Sequence, residues 1–210
     1  MKVNKIDLNY DYYVDTERPE GIHIKEIIDM MARDYGYNKH GDEKPDWLKE
    51  TAELGIVWEH HMIKKLDLHK PKPVQESGIW CSPDAIQATD DLMSDSPVIV
   101  HEFKVKWMSS NKLDDLDAKE WWDVMAQIKS YCKVMKCNTA ILHVLFVNGD
   151  YKWSNTVTGY PYRVSLQLDF TDQELEDNWN AIWNYIDSKR NEEHMDEMWS
   201  SLTNEVGSIE

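Results

Sequence analysis

The chain has 210 residues, 41% hydrophobic and 30% charged, which is enough for one soluble domain with a substantial core and too apolar for a disordered chain. Its net charge of −16 excludes a uniformly basic nucleic-acid surface. The acidity is uneven, however: from Asp169 onward there are 12 acidic residues and 2 basic ones, so a local basic groove elsewhere stays open.

The opening MKVNKIDLNYDYYVD has no apolar signal segment, and no run approaches a membrane span, so a cytoplasmic protein without a membrane partner is expected. Cys81, Cys132 and Cys137 are odd in number and include no CxxC pair. They read as reduced, buried thiols rather than a disulfide framework.

Residues 1–20 read as irregular. Residues 22–36, IHIKEIIDMMARDYG, have helical apolar spacing, and the polar NKHGDEKPD reads as a loop. Asp46 is placed to cap the next helix, DWLKETAELGIVWEHHMIKKL. GIWCSPDAI and PVIVHEFKVKW are strand candidates joined by the polar QATDDLMSDS.

A further helix follows, with Trp121, Met125, Ile128, Cys132 and Met135 on one stripe. TAILHVLFVNGDY reads as an apolar strand turning at Asn148-Gly149, and YRVSLQLDF alternates as a strand does. Thr171-Asp-Gln-Glu174 has the form of a capping box and opens a last helix, about 171–200, with Trp179, Trp183 and Ile186 on one face. The order α-α-β-β-α-β-β-α predicts one α/β domain over residues 1–210, a central mixed sheet flanked by helices.

The chemistry gathers around SPD and HEFKVKW. On a strand, Glu102 and Lys104 project from one face about 7 Å apart, while Phe103 and Val105 point into packing. An isolated E-x-K is ordinarily a solvated face, but here it has company. Asp84 on a neighbouring strand would bring a second carboxylate to Glu102. Two carboxylates beside an ammonium suit a hard cation such as Mg²⁺. Such an ion activates water and stabilises charge on a phosphoryl oxygen. The lysine would orient or deprotonate the attacking water, or neutralise developing charge.

Gln127 and Tyr131, four residues apart, share a helix face offset from the core stripe. They fit equally a boundary pair and a pair that positions a catalytic group. Gly55-Ile-Val-Trp-Glu59 offers a third carboxylate, with the glycine permitting close helix approach.

The ordered set GIVWE, SPD, EFK and QIKSY resembles the PD-(D/E)XK nuclease superfamily, its RecB-like branch, and most the YqaJ/lambda-exonuclease phage recombination nucleases. The resemblance spans about residues 55–151. It implies a restriction-endonuclease-like core and a metal-dependent deoxyribonuclease, of exonuclease type on linear DNA. A structure-specific endonuclease and a catalytically silent DNA-binding subunit are the alternatives on the same fold.

By resemblance, Asp84, Glu102 and the Phe103 carbonyl would bind Mg²⁺, with Mn²⁺ as substitute. Lys104 would be the catalytic lysine, with Gln127 and Tyr131 supporting it. Glu59 would be an outer or additional ligand, standing where many RecB-type enzymes have a metal-binding histidine, with His60 and His61 just after it. The family also implies DNA as substrate, a ring-shaped homo-oligomer, a single-strand-annealing recombination protein as partner, and phage origin in a bacterial host. The three cysteines are too few for the iron–sulfur cluster of some RecB-like relatives.

Outside these motifs, His60 to Lys72 is the most basic stretch and serves equally as a DNA channel wall or a solvated face. Arg18 or Arg33 is a candidate for a terminal phosphate. Trp80 and Trp107 flank the site strands and fit packing or base stacking.

Overall fold

The computed structural model describes residues 19–37, 46–88, 98–108, 110–147 and 162–190. The loop over residues 38–45, the Asn148-Gly149 turn, Arg18, Tyr151 and the acidic end beyond residue 190 lie outside the described residues.

Four strands form the main sheet in the order β3 (Ala85–Ala88), β4 (Val98–Lys106), β5 (Thr139–Phe146), β6 (Tyr162–Asp169). The β3/β4 and β5/β6 pairs are antiparallel, and β4/β5 is parallel. A parallel pair needs a long crossover. A 3₁₀ turn (Ser110–Asp114) and helix α3 (Trp122–Met135) supply it.

Alternation along β4 divides the core. Val100 faces a large cluster built with helices α1 (Ile24–Asp34), α3 and α4 (Asp172–Arg190), including Ile28, Met31, Trp121, Ile128, Leu142, Phe146 and Ile182. On the other face, Trp58 and Met62 of helix α2 (Asp46–Lys65) pack on Phe103 and Ala85. Trp58 meets Phe103 edge-on, with ring centroids 5.7 Å apart.

The expected strand GIWCSPDAI is two strands in two sheets. Strands β1 (Val74–Glu76) and β2 (Ile79–Cys81) form a separate antiparallel hairpin, which the sequence reading does not include. Its two-residue turn, Ser77-Gly78, has positive φ at both positions (51° and 84°), the geometry that matches strand twist in tight hairpins. Pro83 follows β2 and has no N–H to donate, so the ladder breaks at Ser82-Pro83-Asp84 before β3 begins.

The helix ends follow local chemistry. Thr171 and Glu174 form the expected capping box: Thr171 N–H donates to Glu174 Oε2 (2.8 Å), and Glu174 N–H donates to Thr171 Oγ1 (3.2 Å). At the end of α3, Lys136 takes a left-handed φ of 54°. Lys136 N–H bonds the Lys133 carbonyl, and Cys137 N–H bonds that of Cys132, the paired bonds of a Schellman motif. That motif brings the third-from-last helical side chain against the second residue beyond the cap, and here these are the buried Cys132 and Cys137 thiols. Among the described residues no helix is long and apolar enough to cross a membrane.

Candidate active site

Six of the expected residues come together where the head of β3, the middle of β4 and helix α3 meet. The register Ala85↔His101 places Asp84 opposite Glu102. Phe103 N–H donates to Asp84 Oδ2 at 2.8 Å, which fixes that carboxylate at the strand edge. Glu102 is completely buried. One of its oxygens contacts the Lys104 ammonium, as the i, i+2 spacing demands. Lys104 also donates to Gln127 Oε1 (3.2 Å), and Gln127 Nε2 donates to the Tyr131 hydroxyl (2.7 Å). The helical spacing of Gln127 and Tyr131 thus serves a continuous chain, Glu102–Lys104–Gln127–Tyr131.

The charges act on one another. Burial, with the Asp84 charge beside it, pushes the Glu102 carboxyl up to about 8. Burial also raises Asp84, opposed by Lys104 and by the Phe103 N–H. Burial works against the Lys104 charge, but Glu102 and Asp84 outweigh it and hold the ammonium above the ordinary lysine value. Tyr131 is raised by burial and by the same two acids, so it stays a neutral phenol.

Glu102 Oε2 is buried with no donor among the described residues. A buried acceptor in that condition is costly. Asp84 is close enough to Glu102 for the two acids to share a proton. A cation would supply the missing partner equally well.

This donor set fits a hard divalent ion. A strand residue presents its N–H and C=O to the same edge. The Phe103 carbonyl therefore faces the Asp84 side, where β3 has not yet begun. Two carboxylates and a carbonyl, with the rest left to water and substrate oxygens, is a Mg²⁺-type arrangement.

Glu59 is a more distant member. It stands one residue past Trp58 on α2, and burial and the Asp84 charge push its carboxyl up to about 7. Its Oε1 accepts from Lys70 at 3.3 Å. Among the described residues no three His, Cys, Asp or Glu side chains stand together as a ready-made metal cluster. Of the three adjacent candidates, Glu59 is the one turned toward the acids, while His60 and His61 are exposed. Gly55 does not permit a close approach, since a Cβ there would meet nothing within 4 Å.

The basic stretch borders the site. His69 N–H donates to the Ile86 carbonyl and Ile86 N–H to that of His69, so the segment runs beside β3. Lys64, Lys65, Lys70 and Lys72 are exposed. Trp80 is committed to packing: its Nε1–H donates to the Glu20 carbonyl (2.9 Å), and its ring closes on Gly21. Trp107 is exposed, and Arg33 lies in the last turn of α1.

A polar chain on the opposite face has no counterpart among the sequence expectations. The His101 and His143 rings share a hydrogen bond (Nδ1 to Nε2, 2.9 Å), and His143 Nδ1 bonds Ser165 Oγ (2.7 Å). Burial lowers both histidines to about 4, with the His101 charge adding to the effect on His143. Cross-strand partners leave no mark on either strand's own pattern.

No family model and no curated protein matches the sequence. Solved structures do match the fold. LHK-Exo in complex with dAMP is 9% identical with a TM-score of 0.50, over 87% of this chain and 94% of that one. The alkaline exonuclease LHK-Exo from Laribacter hongkongensis is 10% identical, with a TM-score of 0.47 over 84% of both chains. A phage-related exonuclease from Haemophilus somnus 129PT is 12% identical, with a TM-score of 0.46 over 80% of this chain and 82% of that one. The chain shares the mixed α/β fold of LHK-Exo.

Proposed function

We propose that this chain is a metal-dependent deoxyribonuclease that hydrolyses phosphodiester bonds, acting as an exonuclease on linear DNA in phage-type recombination. The observation that carries the reading is the Asp84–Glu102–Lys104–Gln127 arrangement, in which a fold has placed a fully buried acid beside a second, half-buried acid and a half-buried lysine where apolar side chains would be more stable. Its shared fold with LHK-Exo supports the same reading.

Asp84, Glu102 and the Phe103 carbonyl would hold Mg²⁺ or Mn²⁺, which when bound supplies an activated water and neutralises charge on the phosphoryl oxygens. Lys104, kept protonated by its two acids, orients the attacking water and balances charge on the phosphate rather than accepting a proton. Gln127 positions Lys104, and Tyr131 positions Gln127. The exposed lysines beside β3 give an acidic protein a local surface for the DNA backbone. A ring of copies around the duplex and an annealing protein that takes up the exposed strand belong to this proposal.

The test is digestion of linear and covalently closed circular duplex with Mg²⁺. We expect loss of linear DNA from its ends, closed circles left intact, and arrest by EDTA. Asp84→Ala, Glu102→Ala and Lys104→Ala should each remove most activity, with combined losses far from additive because the groups act as one unit. Full activity in any one of them refutes the site. Rapid linearisation of closed circles would make the enzyme an endonuclease. Binding without cleavage under any divalent ion would leave a DNA-binding subunit.

A further inference from the structure

Strand β4 carries a second lysine beyond the Glu102–Lys104 pair. Side chains on one face recur every two residues, so Lys106 projects beside Lys104, about 7 Å further along the strand. Its ammonium lies over the Trp121 ring, 5.1 Å from the centroid. Trp121 is fully buried, and its Nε1–H is committed to the Lys112 carbonyl (2.6 Å), so the ring is a fixed floor beneath the charge.

Among the described residues Lys106 has no carboxylate at ion-pair distance. The charges that reach it are Asp123 in the first turn of α3, which favours the ammonium, and Lys104 and Lys25, which oppose it. Burial is the largest influence, and together these hold Lys106 below the ordinary lysine value. Lys25, on the rim, pairs with Asp29 one turn along α1.

Lys104 and Lys106 thus stand side by side on one strand face, Lys104 paired with Glu102 and Lys106 without a paired carboxylate among the described residues, while Lys25 at the rim is held by Asp29. A half-buried cation that no carboxylate pairs with directly is less favourable in the free fold than a paired one. An anion arriving from solution would relieve it. The spacing of Lys104 and Lys106 is comparable with that of successive phosphates along one nucleic-acid strand.

We propose that Lys106, with Lys25 at the rim, binds the phosphate next to the scissile phosphodiester. This rests on the nuclease reading above and assigns a second, sequence-independent contact to the same substrate strand. Phosphate contacts of this kind fix register without reading bases. Lys106 then sets which bond lies at Lys104.

The experiment uses the full chain with Lys104→Ala, which is expected not to cut, and a fluorescent linear duplex in Mg²⁺. Anisotropy across a salt series compares this parent with the same chain carrying Lys106→Gln or Lys106→Arg. We expect Lys106→Gln to weaken binding about tenfold and to reduce the slope of log affinity against log salt by about one, with Lys106→Arg restoring both. Without DNA, Lys106→Gln should melt above the parent, because a half-buried cation with no directly paired carboxylate has gone.

Lys25→Gln, on the exposed side of α1, should show a smaller change in the same direction. It keeps the test open should Lys106→Gln fold poorly. Unchanged affinity and slope in both variants overturn the inference. So does a lower melting temperature with unchanged binding, which would make Lys106 only a packing partner of Trp121. Cleavage of linear duplex by the unaltered chain tests the nuclease reading separately. If that chain cleaves while Lys106→Gln binds like its parent, the inference alone fails; if it neither binds nor cleaves, both fail.

Discussion

Replacing Glu102 by glutamine removes one buried ionisable group and almost no volume, so it isolates the electrostatic cost of the site. The carboxyl is fully buried, and burial together with Asp84 raises it from 4.5 to about 8. A raised folded value means that the folded chain holds a proton the unfolded chain releases. Stability present below pH 4.5 is therefore lost as pH climbs toward 8.

Across that window each step of one in pH removes about 1.4 kcal/mol, so by pH 7.5 the loss reaches about 4 kcal/mol. Glutamine abolishes that loss but deprives Lys104 of its carboxylate, leaving it Gln127 Oε1 at 3.2 Å and the charge of Asp84. If half the gain is returned in this way, the variant is more stable by about 2 kcal/mol, or roughly 4–8 °C in Tm for a chain of this size. At pH 5 the unfolded chain has only begun to release its proton, so the loss is under about 1 kcal/mol and the two proteins should melt nearly together.

The assay is thermal unfolding by circular dichroism in EDTA at pH 5, 6.5 and 7.5, beside nuclease assays in Mg²⁺. We expect activity to disappear while Tm rises at pH 7.5. A variant that melts below its parent at pH 7.5, or gains as much at pH 5, would refute the reasoning.

Three further outcomes concern the scaffold. Lys136→Gly should stabilise the chain by about 1 kcal/mol, since glycine takes the left-handed φ at the end of α3 without a Cβ penalty, and Gly55→Ala should add a similar increment on α2; urea unfolding checks both. His101 and His143 have folded values of about 4, below the ordinary 6.5, so their contribution is complete above pH 6.5 and is lost as pH falls toward 4. His143→Leu should flatten that acid limb of Tm against pH, and an unchanged limb would remove the pair as its cause.

The parts of the site that the sequence makes legible are those fixed by a single element's own period. Glu102 and Lys104 share a face because strands alternate, and Gln127 and Tyr131 share one because helices turn in 3.6 residues. What joins the two pairs is tertiary: the crossover that sets α3 over β4 brings Gln127 Oε1 to Lys104, and no spacing within either element encodes it. β1 and β2 are three residues each, too short for alternation to show, so only the turn signal of Ser77-Gly78 marks the hairpin in the sequence. GIWCSPDAI reads as one strand because its apolar composition hides the break at Pro83. Lys106 stands in plain view in EFKVK, but its significance depends on the Trp121 ring beneath it and on Lys25 from α1, neither of which is near in sequence.

The parallel pairing of β4 with β5 has a bearing on when the site comes into being. Glu102 sits opposite Leu142, and Lys104 opposite Val144, across the whole intervening crossover. Contacts so distant in sequence form only after the entropy of closing that loop has been overcome, which places them among the slower events of folding. Gln127 travels on the crossover itself, so the lysine gains its amide partner only when the helix has docked. During synthesis, a chain that has not yet released β5 from the ribosome carries Asp84, Glu102 and Lys104 but no frame to hold them together. The active arrangement is a property of the nearly finished chain, and fragments ending before β5 should be inert.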